Sequence, residues 1–124
     1  MNLRFGKIAE NALFVLVACV TIVVTVQAFR FEQKMANQKL LYYQLQTLRT
    51  SVNLFKAINK KNPETLTELA SAEYAFPGED HSHNYLDSNI LTENGVIFDP
   101  FGNPYHFDAK SGWVRCTSRG YELW

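Results

Sequence analysis

No charged residue falls between Glu10 and Arg30. The 19 residues between them, Asn11 to Phe29, are mostly Val, Leu, Ile, Ala and Phe, and contain neither Pro nor Gly. A helix of that length reaches roughly 28 Å, close to the hydrocarbon thickness of a bilayer. A cleaved secretory signal would be followed by small residues, and Gln27-Ala28-Phe29-Arg30-Phe31 matches that poorly. A retained span is therefore expected. Arg4 and Lys7 precede it, and Arg30, Lys34 and Lys39 follow it, so flanking charge does not set the orientation. A tail of about ten residues in front and a folded head behind suggest a cytoplasmic N-terminus and an external head.

The pattern changes beyond the span without a break. Leu41, Leu45, Leu48, Val52, Phe55 and Ile58 recur every three or four residues, which predicts an amphipathic helix. Gln44, Gln46, Arg49, Thr50 and Lys56 supply much of its wet face. Lys60 and Lys61 suit a last turn, and Pro63 forbids continuation, so the helix should stop near Asn59. Unbroken from Ile8, it would run about 52 residues, or roughly 78 Å. The chain thus reads as a rod, half in lipid and half in water, carrying a small head. The expected divisions are a leader-like segment over 1–10, a transmembrane helix over 11–29, its amphipathic continuation over 30–61 and a globular head over 62–124.

That head is near the lower size limit for a self-sufficient core, and it needs the amphipathic helix as one wall. Asn62-Pro63-Glu64 reads as an N-cap, a first-turn proline and an acidic first turn, opening a short helix through Leu66, Leu69 and Ala70 that ends by about Glu73. Phe76 to His83 reads as loop, Asp87 to Asn94 as irregular or a short element, and Val96-Ile97-Phe98 as a short strand. The clearest β signal lies at Tyr105–Asp108 and Trp113–Thr117, two alternating runs around Ala109-Lys110-Ser111-Gly112. In that hairpin Tyr105 and Phe107 share a face with Val114 and Cys116, and the face should pack on Leu48, Val52 and Phe55.

Twelve basic and twelve acidic residues cancel, and no basic stripe suggests a nucleic-acid partner. The two cysteines, Cys19 in the span and Cys116 in the head, exclude a disulfide framework and a cysteine zinc site. Ser111 and Ser118 lie on no nucleophile elbow, the histidines have no nucleophile at a suitable spacing, and no Gly-rich loop cradles phosphate. The composition and motifs thus point away from an enzyme.

Asp99-Pro100-Phe101-Gly102-Asn103-Pro104-Tyr105 is a dense turn cassette. Pro100 and Pro104 fix φ, Gly102 permits positive φ, and Asp99 and Asn103 can close local side-chain bonds. Followed by an aromatic strand and by Asp108-Ala109-Lys110-Ser111-Gly112-Trp113-Val114, this cassette resembles the C-terminal domain of type II secretion major pseudopilins, relatives of type IV pilins. The order of elements is similar too: membrane helix, amphipathic extension, short helix, loop and small antiparallel sheet. The resemblance implies an α+β fold and a structural subunit. Such a subunit is drawn from the bacterial inner membrane, head periplasmic, into a helical filament whose core is the helices and whose surface is the heads. It implies other pilin-like subunits, membrane lipid, a prepilin peptidase and an inner-membrane assembly platform as partners. The alternative is a single-span protein that never assembles and uses its pilin-like head to bind a partner outside the membrane.

Family leaders end in Gly, with an aromatic at the new terminus and Glu fifth after the cut. Here Gly6 is followed by Lys7, and Glu10 is fourth. Cleavage between Gly6 and Lys7 is the corresponding expectation. Glu10 borders the apolar run, where a carboxylate needs a partner: the N-terminal amine of a neighbouring subunit, or Lys7 one turn back. His81 and His83 share a loop with Glu79, Asp80 and Asp87, a set that could hold a transition metal. Calcium through Asp80, Asp87 or Asp99 is a second possibility, although Thr117 to Trp124 lacks the acidic calcium loop usual in major pseudopilins. The base expectation is no cofactor. Trp113, Tyr121 and Trp124 are expected to pack in the core, the alternatives being to cap the sheet or form a subunit contact.

Overall fold

A computed structural model describes residues 2–86, 90 and 92–124. The fold is α+β, with two α-helices followed by short antiparallel pairs. The first helix, α1 (Asn2–Asn59), is 58 residues long. The chain divides into two compact units, Met1–Ala36 and Asn37–Trp124.

In the first unit the large apolar side chains among the described residues are exposed, from Ile8 and Leu13 to Phe29 and Phe31. This segment is long and apolar enough to cross a membrane. Thr21 Oγ1 donates to Val17 O and Thr25 Oγ1 to Thr21 O, both at 2.8 Å. Each hydroxyl is satisfied inside its own helix, as an apolar solvent demands.

In the second unit α1 turns amphipathic. Leu41, Leu45, Leu48, Val52 and Phe55 are buried in one apolar cluster with Leu69, Tyr85, Ile97, Tyr105, Val114 and Cys116. Two expectations fail at the edges of this stripe. Ile58 is 40% exposed, because the core ends one turn earlier. Gln44, expected on the wet face, is buried because its Oε1 accepts from Tyr105 Oη at 2.7 Å. The helix stops as expected at Asn59, with Lys60 left-handed (φ 60°) and its N–H donating to Lys56 O.

The second helix, α2 (Leu66–Ser71), starts later than Asn62-Pro63-Glu64 suggested. Its N-cap is Thr65, whose Oγ1 accepts from Glu68 N, while Glu68 Oε2 accepts from Glu64 N. This is a Thr-x-x-Glu capping arrangement shifted by one residue at its return bond. Asn62 serves elsewhere: its Nδ2 donates to Ala109 O and Lys110 O, both at 2.9 Å, clasping a hairpin turn 47 residues away.

The head holds three separate two-stranded antiparallel pairs in place of one small sheet. β1 (Glu73–Tyr74) pairs with β2 (His83–Asn84), flanking the segment read as loop. β3 (Thr92–Glu93) pairs with β4 (Val96–Ile97) around Asn94 and Gly95, both at positive φ. β5 (His106–Asp108) pairs with β6 (Trp113–Arg115), Phe107 opposite Val114, as the alternation predicted. Gly112 closes this last turn at φ +75°, where a Cβ would lie 3.0 Å from Asn62 Oδ1 and 3.3 Å from Val52 Cγ1. Asn62 Oδ1 is buried without a hydrogen-bond donor among the described residues.

Candidate functional site

The turn cassette is organised around one buried carboxylate. Asp99 is 2% exposed, and both its oxygens are filled by protein donors. Oδ1 accepts from Phe101 N and Asn103 N, each at 2.9 Å. Oδ2 accepts from Ser118 Oγ at 2.6 Å and from the Cys116 thiol at 3.1 Å. The backbone closes the same turn twice, Asp99 N to Asn103 O and Gly102 N to Asp99 O, with Gly102 at φ +83°. Asn103 Nδ2 donates to Ser118 Oγ, and Thr117 Oγ1 donates to Pro104 O. Pro100 lies within the turn, and Pro104 bridges Phe98. The cassette thus ties the start of the β5–β6 hairpin to the segment that follows it.

The chemistry of this cluster is structural. Burial pushes the Cys116 thiol up from its ordinary range, and the Asp99 carboxylate it bonds pushes the same way, so it stays a protonated donor and a poor nucleophile. Burial, with Asp99 and Cys116 alongside, drives the Tyr105 phenol well above its usual value, which keeps it donating to Gln44. At the hairpin turn the Ser111 hydroxyl and the Lys110 N–H hold Asp108 below the usual carboxylate range.

Glu10 and Lys7 lie exposed on α1 and form no ion pair with each other, so the Lys7 partner expected for Glu10 does not form within one chain. Gly6 falls within the α1 backbone. At the end of the β1–β2 loop His83 Nε2 of β2 lies within hydrogen-bonding distance, 2.9 Å, of Glu79 Oε2. No group of three His, Cys, Asp or Glu side chains converges there among the described residues. Asp87, named with this set, lies outside the described residues, and Asp99 is far from free to join it, with four donors on its oxygens.

The aromatic residues divide differently from expectation. Tyr121 packs on the core, stacked on Phe101 with centroids 5.0 Å apart, and its Oη accepts from Gln38 Nε2 at 2.6 Å. Trp113 and Trp124 instead stay exposed, at 51% and 40%. Trp124 lines an open groove of about 350 Å³ with Tyr42, Leu45, Gln46 and Arg49. The Arg49 guanidinium sits 4.4 Å from the centre of the Trp113 ring and donates Nε and Nη2 to Val114 O. Burying both tryptophans was the wrong expectation because the core is already filled by α1, Tyr105 and Val114. The spacing of Tyr42, Gln46 and Arg49, at i, i+4 and i+7, was the signal for this second face.

No protein-family model matches this chain, and no curated protein or solved structure matches it.

Proposed function

We propose that the protein is a structural subunit of a pilin-like filament, of the type IV pilus or type II secretion pseudopilus kind, anchored in a bacterial inner membrane before assembly. One observation carries this reading: a single helix, α1, is uncharged and apolar on its exposed surface from Asn11 to Phe29 and supplies the core wall of a small α+β head from Leu41 onward. The buried Asp99 cassette supports it, since it makes the most pilin-like stretch of the chain the rigid centre of the head. In this reading the apolar segment faces lipid in the membrane and other helices in the filament. The exposed carboxylate of Glu10 meets the N-terminal amine of a neighbouring subunit once Gly6–Lys7 is cut by a prepilin peptidase. The head works as filament surface and carries no catalysis.

The N-terminal sequence of the protein recovered from membranes tests the reading. A start at Lys7, with filaments visible by electron microscopy, is the expected result. A retained Met1 and monomers under all conditions would instead identify a permanently anchored binding head.

A further inference from the structure

The head carries two exposed, complementary surfaces on opposite sides of α1. The first is the groove lined by Tyr42, Leu45, Gln46, Arg49 and Trp124, with Trp113 packed against Arg49 at its edge. Trp, Tyr and Arg are the residues that dominate the binding energy of protein interfaces. Arg49 is the charge in this groove, and among the described residues no carboxylate pairs with it. Its bonds to Val114 O leave other N–H groups free to donate. The second surface is the β1–β2 loop. There Phe76 is 49% exposed, and Glu79 and Asp80 stand exposed beside it; no ion pair holds Asp80. Aromatic contacts run from Phe76 through Tyr74 and Tyr85 to Phe55 of α1. At about 100° per residue, the stripe of Ser51 and Phe55 lies roughly opposite that of Tyr42, Gln46 and Arg49.

We infer that the Phe76–Asp80 loop of one copy docks in the Arg49–Trp113–Trp124 groove of the next, Asp80 meeting Arg49 and Phe76 covering the groove's aromatic wall. This names the head-to-head contact within the proposed filament and rests on that reading. Because the two surfaces differ, the contact is heterologous and leaves a free groove and a free loop at either end. The surfaces also differ in height, since the loop is rooted about nine residues further along α1 than the groove, or ~13 Å. Copies packed side by side in the proposed filament run parallel. Each contact therefore carries an axial step, and a stepped heterologous contact winds into a helix in place of a closed ring.

Cysteine cross-linking of the full chain in detergent, where copies are free to slide past one another by that step, tests the contact. Gln46→Cys in the groove and Pro77→Cys in the loop are placed together in a Cys19→Ala background, with the buried Cys116 left in place. Mild oxidation is expected to give a ladder of dimers, trimers and higher species. Each single-cysteine variant should give no ladder, and Asp80→Arg added to the double variant should abolish it. Melting of each variant near the parent temperature shows that the head is folded. A Gln46→Cys dimer without Pro77→Cys, a ladder indifferent to Asp80→Arg, or no cross-link from folded protein would each overturn the contact. Filaments without the ladder refute this contact and spare the filament reading; a ladder without filaments does the reverse.

Discussion

Asp99 shows how much one side chain can organise. Four donors converge on its carboxylate, two from the backbone of its own turn and two from Cys116 and Ser118. An Asp99→Ala head would leave those donors buried without an acceptor, at a cost of about 3 kcal/mol or more. A marked fall in the thermal midpoint of the detergent-solubilised protein is the expected outcome, with Ser118→Ala falling less because it leaves three donors in place. Cys116 gives a second check. Its raised thiol and burial predict resistance to alkylation until the head is denatured. Labelling of Cys116 in native protein at the rate of a free thiol would contradict the packing. Tyr105 sets the alkaline limit. Its phenol is held protonated in the folded head, whereas in the unfolded chain it ionises near pH 10, so the fold loses stability as pH rises through and beyond that point. Tyr105→Phe should flatten that loss, measured by melting between neutral and strongly alkaline pH.

Elements were legible in proportion to how local their cause is. The apolar run, the i, i+3, i+4 stripe and the alternation on either side of Gly112 are written in adjacent residues, and α1, β5 and β6 follow them closely. The β3–β4 hairpin went unread, since Asp87 to Asn94 reads as irregular or a short element, although Asn94-Gly95 suits a type I′ turn and both residues take positive φ. β1 and β2 went unread as well, because two-residue strands carry no period, and their pairing brings Tyr74 and His83 together across a loop. Asn62 misled for a related reason. A polar residue before Pro63 has the chemistry of an N-cap, but a hairpin turn far along the chain captured its amide. The same turn makes a sharp prediction. Gly112→Ala must bear a Cβ at positive φ against Asn62 and Val52, and about 2 kcal/mol of stability should be lost. Acid acts on this turn as well. Asp108 is held below the usual carboxylate range, so its contribution is present above about pH 4 and is lost as pH falls through its folded value. Ser111→Ala removes the largest cause, and the acid dependence of melting should shrink.

For the chain as a whole, a helical segment long and apolar enough to cross a membrane precedes a head with its own core, and each can be probed without the other. The protein should remain in the membrane pellet through alkaline carbonate washing and leave it only with detergent, as the exposed apolar surface of α1 requires. Glu10→Gln tests assembly alone. Loss of filaments with an unchanged melting curve is expected, since Glu10 is exposed and outside the head. What the sequence could not reveal at this level is the groove. Its walls come from residues 42–49 and from Trp124, with Trp113 held against Arg49, and no local pattern joins segments so far apart.

That distance also has a meaning in time. The buried face of α1 is covered by Val114 and Cys116, and Gln38 is tied to Tyr121, 83 residues downstream. Synthesis at roughly 5–20 residues per second separates Leu45 from Val114 by about 3–14 s. Through that interval a leucine seam that ends in a closed core stands bare, next to a segment already seeking lipid. A chain cut short before Trp113 should therefore expose that seam, and a rise in binding of a hydrophobic dye relative to the full chain would show it.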